Sequence, residues 1–133
     1  MKQLSKVIFI NSASIPYGEV IVDGNVHLIG NQGVGKSTVL RAMLFFYNAN
    51  TKRLDISPNK KRFKEYYFPF SNSHLVYEIQ RENGAYCVWV FKSRNKIMYR
   101  FIDKPYNQSY FLEEFVAKSN KEIEQNLDAL GIS

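Results

Sequence analysis

The segment Gly30-Asn31-Gln32-Gly33-Val34-Gly35-Lys36-Ser37 constrains this chain more than any other stretch. It satisfies G-x-x-x-x-G-K-[ST] at every defined position and lies between segments of different period. Before it, Val26-His27-Leu28-Ile29 reads as a strand. After it, Val39, Leu40, Met43, Leu44 and Tyr47 recur at helical spacing, which predicts a helix from Ser37 that ends near Asn48-Ala49-Asn50. Three glycines let the backbone close around an anion with no side chain in the way, so consecutive N–H groups converge on one concavity. The start of the following helix adds unpaired N–H groups and the positive end of its dipole. On this reading Gly30, Asn31, Gln32, Gly33, Val34, Gly35, Lys36, Ser37 and Thr38 form a nucleotide-phosphate site. Lys36, the catalytic candidate, reaches the β- and γ-phosphates as a point charge, the Ser37 hydroxyl ligates Mg²⁺, and Thr38 contacts the α-phosphate region. The competing reading is a packed glycine turn that binds nothing, and it gives no reason for a lysine facing three glycines.

Length and composition bound the setting of this motif. A chain of 133 residues fits one domain, 1–133, and 45% hydrophobic against 23% charged residues excludes a disordered or fibrous polymer. No apolar run approaches a membrane span and Met1 to Lys6 lacks a leader-like apolar stretch, so a cytoplasmic protein with no membrane partner is expected. Cys87 stands alone, so no internal disulfide can form, and His27 and His74 are too few to suggest a zinc site.

The net charge of +6 is concentrated. Residues 52 to 64 hold Lys52, Arg53, Lys60, Lys61, Arg62 and Lys64 against the single acid Asp55. Such a segment attracts polyanions and makes their binding salt-sensitive, so DNA is a candidate partner. A solvated loop that keeps a strand-rich protein soluble explains the same charge. The adjoining Tyr66-Tyr67-Phe68-Pro69-Phe70 can be read as a stacking platform for bases or as core.

Elsewhere the chain reads mainly as strands: Lys6 to Ile10, Glu19 to Asp23 with a turn at Asp23-Gly24, His74 to Gln80, Ala85 to Lys92, and Ile97 to Ile102. Asn83-Gly84 is a hairpin signal, and pairing outward from it sets Ile79 opposite Val88 and Tyr77 opposite Val90. Trp89 and Phe91 look structural. Phe111, Phe115, Ile123, Leu127 and Leu130 predict a C-terminal helical segment over 111–130. Two nucleotide-binding classes fit poorly. Asn59-Lys60-Lys61-Arg62 places Arg62 where a GTPase needs a carboxylate, and antiparallel strands stand where a small-molecule kinase would carry lid helices.

The order of strand, hairpin, phosphate loop, helix and strand meander resembles the N-terminal lobe of an ABC-type ATPase head, above all the SMC and MukB-like chromosome and DNA-repair ATPases. The stretches Ser14-Ile15-Pro16-Tyr17-Gly18-Glu19-Val20 and Ala42-Met43-Leu44-Phe45-Phe46-Tyr47-Asn48 are similar to large bacterial SMC-like ATP-binding proteins. The resemblance covers roughly residues 3 to 103. Gln32 and Val34 stand where Asn and Ser are common, and the backbone cradle depends on neither. What the resemblance implies is an α/β P-loop NTPase fold with a mixed sheet and an antiparallel meander. It also implies ATP and Mg²⁺ as ligands, and a complementary lobe and second head, in a homo- or heterodimer, as partners. ATP hydrolysis then depends on residues supplied by those partners, so the isolated chain is expected to be inactive. Asp103, after Tyr99-Arg100-Phe101-Ile102, imitates a metal-binding strand end, but Lys104 stands where the catalytic Glu should be, and a hairpin-end aspartate is the better reading. Gln80, Gln108 and Gln125 are all open as the γ-phosphate sensor, and the loop Ser12 to Tyr17 is placed near the adenine. The alternatives are a basic nucleic-acid-binding module without ATPase activity and another kind of P-loop nucleotide-binding protein.

Overall fold

The computed structural model describes residues 3–22, 26–30, 36–47 and 64–132. β1 (Gln3–Ser12), β2 (Ile15–Val22), β3 (Val26–Gly30), β4 (His74–Gln80), β5 (Tyr86–Ser93) and β6 (Lys96–Ile102) form one sheet in the order β3-β2-β1-β4-β5-β6. Helix α1 (Lys36–Tyr47) follows β3, and a helical turn at 64–67 precedes β4. A short 3₁₀ turn (Gln108–Tyr110), the hairpin β7 (Leu112–Glu113) and β8 (Val116–Ala117), and helix α2 (Asn120–Ala129) complete the order. No helix among the described residues is long and apolar enough to cross a membrane.

Every pairing in the six-stranded sheet is antiparallel. The parallel part of the expected mixed sheet is therefore not found among the described residues, whereas the meander β4-β5-β6 is. The expected turn at Asp23-Gly24, the helix end beyond Tyr47 and the basic residues 52–63 lie outside the described residues. Val22 and Val26 nonetheless pair across the first of these.

Side chains alternate along each strand, so the sheet packs a separate apolar layer on each face. Val7 and Phe9 of β1, Leu75, Tyr77 and Ile79 of β4, and Val90 of β5 face α1, meeting Val39 and Ala42 with Met43 and Phe46 beside them. Ile8, Ile10, Val76, Cys87, Trp89 and Phe91 face the opposite way, toward Phe111, Leu112, Ile123 and Leu127 of the C-terminal layer. Leu4 breaks the parity of β1 and still faces α1, because the β1–β4 register shifts between Leu4 and Lys6. Ser5 is the extra residue of that bulge, and its hydroxyl donates to the backbone and carboxylate of Glu78 at 3.0 and 2.9 Å.

Two expectations need correction. The β4–β5 hairpin pairs Ile79 with Tyr86 and Tyr77 with Val88, two residues from the expected register. Instead of a two-residue Asn83-Gly84 turn, a four-residue turn forms in which the Gly84 N–H donates to the Arg81 carbonyl at 3.2 Å. A two-residue shift keeps every side chain on its intended face, which is why the apolar pattern alone could not separate the registers. The second correction is at the C-terminus. Helix α2 spans only Asn120–Ala129, entered through a Ser119/Glu122 capping box, while 111–117 forms a 3₁₀ exit and a tight hairpin. Phe115, read as part of a helix face, sits at the hairpin tip with φ of 67° and is 88% exposed.

His74 locks the C-terminal layer to the sheet. Trp89 Nε1 donates to its Nδ1 at 3.0 Å, so Nε2 carries the proton and donates to the Lys118 carbonyl at 2.7 Å. Burial holds this imidazole neutral and depresses its pKa to about 4, although the Lys118 carbonyl favours the charged form. An unfolded histidine takes its proton near 6.5, so between those values protonation favours the unfolded chain. Stability present above about 6.5 should therefore fall as the pH drops toward about 4, by about 3 kcal/mol from this group. Urea midpoints measured across that window for the wild type, but not for His74→Gln, are expected to show this loss.

Candidate phosphate-binding site

Antiparallel register fixes which residues share an edge of the sheet. β1 ends, β2 begins, β3 ends, β4 begins, β5 ends and β6 begins on one side, called here the upper edge. Gly30, the first residue of the glycine motif, is the last residue of β3 and pairs with Gly18. Lys36 and Ser37 are the first two residues of α1, and Thr38 is the third. Asn31, Gln32, Gly33, Val34 and Gly35 lie outside the described residues. The motif is thus bracketed at the upper edge by the end of a strand and the start of a twelve-residue helix. The first turn of α1 contains no acidic side chain, so none of its own side chains competes for its positive end.

What holds that helix start in place was not visible in the sequence. The helical turn at 64–67 sets two tyrosines against Thr38. The buried Tyr67 hydroxyl donates to the Thr38 carbonyl at 2.5 Å, and the Tyr66 hydroxyl shares a 3.0 Å hydrogen bond with Thr38 Oγ1. One turn further along α1, the Tyr77 hydroxyl donates to the Ala42 carbonyl at 2.8 Å from the middle of β4. Burial keeps the Tyr67 and Tyr77 hydroxyls protonated by pushing both pKa values up, so both remain donors. The Thr38 side chain, expected to face the α-phosphate region, is engaged with Tyr66, though a hydroxyl retains a second accepting site.

The turn between β1 and β2 occupies the same edge under strain. Ala13 and Ser14 are its two central residues, with φ of 52° and 63°, a left-handed pair without glycine. The Ala13 N–H donates to the Tyr66 carbonyl at 3.1 Å, which ties this turn to the tyrosine clip. Beside it, Asn11, Ser14, Ile15, Pro16 and Phe70 line a shallow cavity of about 130 Å³. Phe70 is 60% exposed there, whereas Tyr67 and Phe68 are buried in the core. The aromatic stretch is therefore split between core and surface.

The remaining candidates lie elsewhere. Asp103 follows β6 at the lower edge, opposite Gly30, and is ion-paired with Arg81. Gln80 ends β4 at the same lower edge, and Gln108 and Gln125 belong to the C-terminal layer on the face away from α1. The structure brings none of the three to the described residues of the motif. Cys87 is buried among apolar side chains, and burial pushes its thiol up to about 12, which leaves it unreactive near neutral pH. Among the described residues no group of three or more His, Cys, Asp or Glu side chains could hold a metal ion.

These features define a layered domain: an antiparallel sheet with a glycine-motif helix on one face and a hairpin-and-helix layer on the other. The chain belongs to the DUF3584 family, described as a protein of unknown function, whose model matches residues 8–133. No curated protein and no solved structure matches it.

The tyrosine clip has a measurable weight. Tyr67→Phe and Tyr77→Phe should each lower the unfolding free energy by about 1 kcal/mol, the net worth of a buried neutral hydrogen bond, and Tyr66→Phe by less. Relieving the left-handed turn should act the other way, with Ser14→Gly raising stability by about 1 kcal/mol. Chemical denaturation of the four variants checks both signs.

Proposed function

We propose that this domain binds Mg-ATP through residues 30–38 and serves as the N-terminal part of an SMC-like ATPase head. One observation carries the reading: an eight-position phosphate-loop motif whose first residue ends a strand and whose lysine begins a helix free of acidic residues in its first turn. Those are the positions at which backbone N–H groups, a helix dipole and one lysine can act together on a triphosphate. Lys36 would neutralise the β- and γ-phosphates, and the Ser37 hydroxyl would hold the Mg²⁺ that bridges them. When bound, the metal supplies charge neutralisation on the transferred phosphoryl group.

The same reading makes the chain half of a catalyst. Asp103 is ion-paired at the lower edge, and the three glutamines lie away from the described residues of the motif, so none of these four candidates is positioned to activate water beside it. Edge strand β3 has β2 on one side and no described neighbour on the other. That side of β3, next to the motif, is where a complementary lobe would add its strands and its water-activating residues.

Titration of the purified chain with a fluorescent ATP analogue in Mg²⁺ should give saturable binding that Lys36→Ala abolishes, with ATP preferred over GTP. Steady-state turnover by the chain alone should be absent. Lys36-dependent hydrolysis by the isolated domain would overturn the half-site reading, and equal affinity of wild type and Lys36→Ala would overturn the nucleotide reading altogether.

A further inference from the structure

The β5–β6 hairpin ends at the upper edge in Lys92-Ser93-Arg94-Asn95-Lys96, three cations in five residues with no acid and no apolar side chain among them. Ser93 pairs with Lys96, so the tip is a two-residue turn, and Arg94 and Asn95 have φ of 52° and 64°. Such a turn is short and conformationally fixed, so the cations flank a ladder-supported tip rather than a slack loop, with Lys92 on the α1 side of the hairpin, Lys96 on the other and Arg94 in the turn between them. Lys92, Arg94 and Lys96 make no ion pair with the described residues. A fourth cation joins them from a distant part of the chain: the Lys64 ammonium donates to the Asn95 carbonyl at 2.9 Å. Lys64 is also the residue on which the basic run of the sequence ends.

We propose that Lys64, Lys92, Arg94 and Lys96 form a surface for the phosphate backbone of a nucleic acid. Four cations held at a rigid tip match a polyanion of regularly spaced charges, and the absence of any apolar side chain at the tip argues against insertion into a lipid surface. The surface binds backbone, not bases. Of the aromatics beside the basic run, Tyr67 and Phe68 are buried in the core, Tyr66 is tied by its hydroxyl to Thr38, and the exposed Phe70 lies beside the β1–β2 turn rather than at the hairpin tip, so recognition at the tip is electrostatic and indifferent to sequence. This proposal does not rest on nucleotide binding, because the tip and the glycine motif are separate groups of residues on the same edge.

Fluorescence anisotropy with a short labelled DNA duplex, measured across a salt series, tests it. The wild-type chain should bind with log K falling linearly against log salt. The triple variant Lys92→Gln, Arg94→Gln, Lys96→Gln should bind on the order of a hundredfold more weakly at physiological salt, with the slope flattened by about 3. Arg94→Gln alone should flatten it by about 1, whereas the matched charge loss Lys104→Gln at the lower edge should leave it unchanged. Lys36→Ala, which removes nucleotide binding on the reading above, should bind the duplex as the wild type does. The proposal is overturned if the triple variant, shown to be folded by its thermal transition, retains wild-type affinity and slope. It is overturned equally if Lys104→Gln weakens binding as much as Arg94→Gln, or if phosphatidylserine vesicles bind the chain more tightly than the duplex does.

Discussion

Burial of β4 on both faces is the constraint from which the rest of the architecture follows. Its first six residues, His74 to Ile79, are all buried, and they divide by parity. Leu75, Tyr77 and Ile79 require α1, while His74 and Val76 require the C-terminal layer. Neither layer is sufficient alone, because a strand with one apolar face left open would expose several large side chains to water, each worth roughly 1.5–3 kcal/mol of burial. The polar groups on this strand are handled within the same scheme. Tyr77 sends its hydroxyl to a carbonyl of α1, His74 bridges Trp89 to the Lys118 carbonyl, and Glu78 accepts from Ser5 on one oxygen and from the Tyr106 N–H on the other. Each buried polar group thereby pins one layer to the sheet, and the sheet gains register specificity from groups that a purely apolar strand would lack.

Antiparallel topology then concentrates the chemistry at one edge. Since β3 ends where β2, β4 and β6 begin, the glycine motif, the strained β1–β2 turn, the tyrosine clip and the basic hairpin tip all emerge on the same side. From β3 to β6 is five strand spacings, roughly 24 Å of edge. The turn at 64–67 bridges the middle of that edge, touching Asn95 through Lys64, Ala13 through the Tyr66 carbonyl, and Thr38 through both tyrosine hydroxyls. Its position explains how two left-handed residues without glycine persist at Ala13 and Ser14: the Tyr66 carbonyl satisfies the turn's buried N–H, and that bond offsets part of the strain.

Legibility of the sequence followed the range of the interaction responsible. The glycine motif, its flanking strand and helix, and the meander are local patterns, and β4 occupies the expected residues His74–Gln80. Turn chemistry misled in both directions. Asn83-Gly84 carries the strongest left-handed signal in the chain, yet only Gly84 takes positive φ, while Ala13-Ser14, Arg94-Asn95 and Glu114-Phe115 form left-handed pairs without any glycine. Tertiary contacts decide these turns, and a local propensity of about 1 kcal/mol per residue is too small to resist them. The spacing of Phe111 and Phe115 imitates a helix because two-residue strands are too short to leave a period of their own. The clip between Tyr66, Tyr67 and Thr38 joins residues 28 and 29 positions apart with no repeating pattern between them, so nothing in the sequence could announce it.

Edge strands show what this fold leaves open. A sheet that ends in an unprotected strand presents a row of unpaired backbone groups, and natural proteins cover, shorten or charge such edges. β6 is charged by Lys96 and Arg100, the latter held by Asp128 and the Ile132 carbonyl of the C-terminal layer. Among the described residues β3 has no comparable device: its five residues, Val26-His27-Leu28-Ile29-Gly30, contain no lysine, arginine, aspartate, glutamate or proline. A short apolar edge strand that leads directly into the glycine motif, with no described neighbour on its outer side, is poorly suited to remain in water and well suited to receive further strands. The edge that is hardest to leave solvated is therefore also the edge nearest the motif. Backbone pairing there would bring new residues up to the glycine motif without rearranging the sheet already formed.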